Sequence, residues 1–167
     1  MHAGHRFATL ALLTALGCAH GTISPAMHGA VSPPPRSVAI VTVTLDPAVG
    51  ADRRTTYDDL GANDAIAREI VSRLGDQGHY DPAGTTRLEV TVTNFRLRST
   101  GNAFVNGFFA GVDILEGEVR VVPASGEPAR YVFKLSGSEE MYFKFGAGAR
   151  FRSLTRTLAS RVAGLFG

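Results

Sequence analysis

A chain with one cysteine cannot brace its fold with an internal disulfide, and here that cysteine stands at position 18, at the end of an apolar leader. Whatever folds behind it must hold by packing alone. The sequence has 167 residues, 44% of them apolar, which suffices for one domain with a real core, an export signal and a tether. Residues 1–17 contain a single strong charge, Arg6; without it, 16 of the 17 Lys plus Arg remain against 15 Asp plus Glu. The chain behind the leader is therefore almost neutral. Nucleic-acid binding needs a concentrated positive footprint, and none is visible in this balance.

The leader has a recognisable anatomy. Residues 1–6 hold Arg6, two histidines and the free amino terminus, and Phe7 to Leu16 (FATLALLTAL) form a ten-residue apolar run. That run is too short to cross a hydrocarbon layer of about 30 Å as a helix, and it matches the hydrophobic region of a secretory signal peptide. Ala15-Leu16-Gly17-Cys18 then resembles the bacterial lipobox, departing from it at Ala15, where Leu is usual. The resemblance implies that residues 1–17 are removed and that the Cys18 sulfur takes a diacylglyceryl group, chemistry that requires a thiol nucleophile. With the amino group also acylated, three chains anchor far more firmly than one. Ala19 rather than Asp follows the cysteine, which by resemblance to Gram-negative sorting favours the outer membrane, periplasmic face. The competing reading is ordinary cleavage after Ala19, with Gly17 and Ala19 as the small residues.

Residues 18–37 then read as the lipidated cysteine and a flexible tether rich in Gly, Pro, Ser and Ala, stiffened by Pro33-Pro34-Pro35. Residues 38–167 form a single domain. Val38 to Leu45 is apolar on both faces and β-branched, the pattern of a central strand. Residues 48–61 read as a polar connection. Ile66, Ile70, Val71 and Leu74 give an amphipathic helix, with Asn63 or Asp64 as its cap and Gly75 as its stop. Strands follow at Leu88–Arg98, where the alternation changes phase near Asn94, and at Val112–Val122, where Leu115, Gly117, Val119 and Val121 share one face. Tyr131, Phe133 and Leu135 mark the partner strand, and Met141–Phe145 a further strand-like piece. Leu154, Leu158, Val162 and Leu165 mark a terminal amphipathic helix, with Arg152, Arg156 and Arg161 mostly off its apolar stripe. The expected class is α+β, a mainly antiparallel sheet with two amphipathic helices on one face, in the order β-α-β-β-β-α.

No catalytic, cofactor or metal constellation stands out. Glu116 with Glu118 and Glu139 with Glu140 are pairs of the kind common on solvated strand faces. His79 is the only histidine inside the domain and would have to serve any nucleophile by itself. Ser136-Gly-Ser138 lacks a nucleophile elbow, and Gly146-Ala-Gly148-Ala lacks the Lys-Ser/Thr of a phosphate loop. The connector Gly101–Gly111 (GNAFVNGFFAG) is the unusual stretch, because Phe104, Phe108 and Phe109 sit in a loop between strands. These rings either touch lipid or a partner protein, or fold back onto their own sheet.

The leading strand, the helix ending at Leu74-Gly75, the strand LEVTVTNFRLRS, the Gly-rich connector, the hairpin and the arginine-bearing last helix resemble lipoproteins of domain of unknown function 4410. The resemblance covers about residues 38–166 and rests on order and texture. More distantly the chain is similar to envelope assembly lipoproteins and to auxiliary lipoproteins of lipid-exporting transporters. It implies no enzyme activity and no cofactor. The expectation is an outer-membrane-anchored, non-enzymatic accessory or assembly factor, held by its acyl chains and binding an envelope protein or a lipid. A periplasmic hydrolase using Glu139, Glu140 or His79, and a self-associating structural envelope protein, are the alternatives. Replacing the sulfur tests the anchor: Cys18→Ser is expected to abolish both acyl labelling and membrane retention in cell fractionation.

Overall fold

The computed structural model describes residues 19–26, 37–98, 112–137 and 146–167. Along the chain run β1 (His20–Pro25), β2 (Ile40–Leu45), α1 (Ala51–Asp59), α2 (Ala62–Asp76), β3 (Arg87–Arg96), β4 (Ile114–Val122), β5 (Ala129–Ser136) and α3 (Ala147–Ala163). The described strands form one five-stranded sheet in the order β1-β5-β4-β3-β2. Three of its pairings are antiparallel and β2–β3 is parallel, so the sheet is mixed within an α+β fold.

Alternation decides which face of the sheet is dry. Leu88, Val90, Val92 and Phe95 on β3, Leu115, Val119 and Val121 on β4, and Tyr131, Phe133 and Leu135 on β5 are all buried. The phase change on β3 is a bulge, with the register shifting between Val92 and Asn94, and it returns Phe95 to the buried side. Above that face lie Ile66, Ile70 and Leu74 of α2 and Leu154 and Leu158 of α3, each fully buried. Burying one such side chain stabilises by about 1.5–3 kcal/mol. The opposite face of the sheet carries Glu89, Glu116, Glu118, Arg120 and Arg130; Arg120 pairs with Glu89 at 2.9 Å.

Several sequence expectations change. Residues 20–25, read as part of a tether, are an edge strand paired with β5 from His20–Ser136 to Pro25–Tyr131. The backbone of HGTISP supplies a full ladder although only Ile23 among its side chains packs against the core. β2 is the other edge, not a central strand: Ile40 is 53% exposed and Thr42 and Thr44 face solvent. The connection 48–61 contains α1. Its buried side chain is Tyr57, whose ring meets Phe95 edge-on at 5.1 Å and whose hydroxyl donates to Asn63 Oδ1 at 2.9 Å. Burial, and after it the neighbouring Asp58, pushes the Tyr57 phenol well above the ordinary tyrosine range, so it stays neutral and keeps its donor proton.

Asn63 is thus a partner of Tyr57 rather than a helix cap, and Gly61, with φ of 55°, breaks α1 from α2. The left-handed stop of α2 is Gly78 (φ 72°), not Gly75: the Gly78 amide donates to Gly75 O and the His79 amide to Leu74 O, a Schellman closure. Met141–Phe145 lies outside the described residues.

Gly117 occupies a buried position opposite Val92, and a Cβ there would lie 2.0 Å from Thr91 O and 2.8 Å from Phe133 Cζ. The ring of Phe133 fills the space that a side chain would need. Gly117→Ala is expected to lower stability by about 1–3 kcal/mol in urea unfolding, through overpacking.

Candidate functional site

The register places four chain positions in a line across one end of the sheet. His20 pairs with Ser136, Ser136 with Ile114, and Ile114 with Arg96. Cys18 precedes His20 by two residues, segment 99–111 leaves after Arg98 and returns at Val112, and segment 138–145 leaves after Gly137 and returns at Gly146. The proposed anchor and both segments thus depart from the same end.

One ion pair ties these departures together. Arg150, in the first turn of α3, donates from Nε to Asp113 Oδ2 at 2.8 Å, and the two side chains are 1% and 0% exposed. Arg150 Nη2 also donates to Arg98 O at 2.6 Å, and Asp113 Oδ1 accepts from the Arg98 amide at 2.9 Å. The Asp113 carbonyl accepts from the Gly137 amide at 3.0 Å. Charge neutralisation and backbone bonds together make the burial of two ions tolerable. These bonds join Arg98, Asp113 and Gly137, the described residues that flank both segments, to the first turn of α3.

A second contact fixes the entry of the chain. Ala19 is buried, its amide donates to Ser153 Oγ at 3.2 Å, and its carbonyl accepts from Thr157 Oγ1 at 3.2 Å. Two hydroxyls one turn apart on α3 therefore contact both backbone groups of the residue next to Cys18, with the Thr157 proton shared between Ala19 O and Ser153 O at 3.0 Å.

The other residues singled out in the sequence do not gather. His79 lies beyond the C-terminus of α2 on the helical side, its ring 6.1 Å from Phe166, whereas Glu116 and Glu118 occupy the uncovered sheet face. Glu116 accepts from Asn94 Nδ2 at 2.9 Å, and Asn94 Oδ1 accepts from Arg53 at 2.9 Å. Glu118 lies 3.8 Å from Arg130. Cys18, Phe104, Phe108, Phe109, Glu139 and Glu140 lie outside the described residues. A shallow cleft of about 160 Å³ is lined by Asp52, Arg53, Thr56, Phe95, Arg96 and Leu97. It is smaller than ordinary small-molecule sites, and Arg96 there is turned to Val112 O (3.2 and 2.9 Å). Among the described residues no three His, Cys, Asp or Glu side chains group as metal ligands, and no helix is long and apolar enough to cross a membrane. The Arg150–Asp113 pair was missed from sequence. An arginine at the start of a helix already rich in arginine, and an aspartate one residue before a strand, carry no mark of being partners.

Comparison with known proteins gives the fold. No protein-family model matches the chain, and no curated protein matches it. Among solved structures it is similar to the PelC dodecamer from Paraburkholderia phytofirmans, at 13% identity and a TM-score of 0.50, covering 86% of this chain and 98% of that one. A point variant of the same PelC aligns at 14% identity with a TM-score of 0.49 and the same coverage. At such identity the likeness is one of fold.

Asp113→Ala is expected to cost about 3–5 kcal/mol in urea unfolding, because it leaves a buried guanidinium uncompensated. The double change Asp113→Leu with Arg150→Met should cost less than that single change. Equal losses would place the energy in the Arg98 backbone bonds instead.

Proposed function

We propose that the chain is an outer-membrane lipoprotein, acylated at Cys18 on the periplasmic face, that serves as a non-enzymatic accessory or assembly factor. The observation that carries this reading is Ala19. Its amide and carbonyl are both held by α3 and its side chain is buried, so the fold uses the residue that cleavage after Ala19 would remove. Cleavage before Cys18 keeps it. The resemblance to lipoproteins of domain of unknown function 4410 carries the same implication.

The partner contact in this reading is the connector Gly101–Gly111 with Phe104, Phe108 and Phe109. Its two stems, Arg98 and Val112-Asp113, stand at the sheet end from which Cys18 also departs. An apolar loop based beside a lipid anchor is well placed to meet acyl chains or the membrane-proximal part of an envelope protein. Among the described residues the outer edges of β1 and β2 have no strand partner, and PelC, the fold neighbour, assembles as a dodecamer. Self-association is accordingly the second reading.

Crosslinking the native lipoprotein in its own membrane, followed by mass spectrometry of what it captures, separates the two. Phe108→Ser with Phe109→Ser should cut the yield of a distinct envelope partner while leaving the unfolding midpoint nearly unchanged. Capture of further copies of this chain alone would favour self-association. Collapse of the fold would assign the rings to the core.

A further inference from the structure

We infer that the exposed side of the first three turns of α3, carrying Arg152 and Arg156, is the face that rests on a bilayer surface bearing anionic phospholipid headgroups. This deepens the lipid-anchor reading and rests on it for the placing of the helix. The starting point is distance. Ala19 is clamped to Ser153 and Thr157, so Cys18 is one residue, about 3.8 Å of backbone, from a fixed point on α3. Acyl chains on that residue leave the domain no free tether. The surface around Ser153 and Thr157 must lie close to the headgroups.

The charge that α3 itself brings to that surface is all positive. α3 holds four arginines and no acidic residue, whereas α1 and α2 together hold six acidic and four basic residues. Arg150 is consumed by Asp113. Arg152 and Arg156 each precede one of the clamping hydroxyl residues, and both are exposed. Arg152 forms no ion pair among the described residues, and Arg156 has only a 3.8 Å contact with Glu69 while its side chain stays 70% exposed. Gly146 and the first turn of α3 add no carboxylate that would repel a phosphate. Long arginine side chains can reach headgroups while their stems stay against the helix. By the usual strength of attraction to anionic lipid, two arginines favour this orientation about thirtyfold over one that leaves them in water.

The test uses the acylated protein in vesicles of phosphatidylcholine alone or of phosphatidylcholine with phosphatidylglycerol. Arginines are modified with phenylglyoxal and scored by peptide mass spectrometry, which also reports the state of Cys18. Arg73 at the end of α2 and Arg130 on the open sheet face, both exposed, serve as internal references. Arg152 and Arg156 are expected to react about tenfold more slowly when phosphatidylglycerol is present, with the references unchanged and high salt restoring the rate. An acylated chain whose Arg152 and Arg156 react alike on both surfaces overturns the inference and keeps the anchor. A chain with a bare Cys18 thiol that is still protected only on phosphatidylglycerol overturns the anchor and keeps the headgroup contact.

Discussion

A guanidinium and a carboxylate, both removed from water, hold one end of this domain in shape. The Arg150–Asp113 pair joins the start of α3 to the start of β4, and its remaining bonds reach the last described residue of β3's exit, Arg98, and the turn after β5. Such a pair adds little to net stability compared with well-packed hydrocarbon, but breaking it is costly. Its value lies in direction. Two apolar side chains would pack in several ways, whereas this pair has one arrangement that satisfies both backbone groups of Arg98.

With that end fixed, the placement of everything else at it has meaning. The first residue of the described chain, the stems of the phenylalanine-bearing connector and the first turns of the arginine helix share one region. The chemistry is sorted between them: small residues and aromatic rings in the connector, guanidinium groups on the helix, a thiol just upstream. Among the described residues, His79 lies on the helical side of the sheet and Glu116 and Glu118 on the other.

The strands β3, β4 and β5 and the two long helices were legible because their side chains keep a strict period. Leu115, Gly117, Val119 and Val121 alternate, and Ile66, Ile70 and Leu74 recur once per turn, so burial follows from spacing alone. α1 was illegible for the converse reason: Tyr57 is its single buried residue, and one apolar side chain has no period. β1 was hidden by its edge position. His20, Thr22 and Ser24 face solvent, and Gly21 lies so close to Lys134 O and Leu135 that any side chain would collide, so HGTISP is selected for its backbone rather than for apolar alternation. The site's ion pair was hidden because contact between positions 113 and 150 depends on the finished topology, which composition does not encode.

The β1–β5 pairing also sets an order of events. His20 and Ser136 are 116 positions apart, and the strand nearest the amino terminus can only be seated once nearly the whole polypeptide has emerged. Until then β1 has no partner in the sheet, and its backbone groups stay unsatisfied, the kind of strand that recruits neighbours. A domain wired this way finishes late: Ala19, at the start of the described chain, finds its bonds only when α3 arrives.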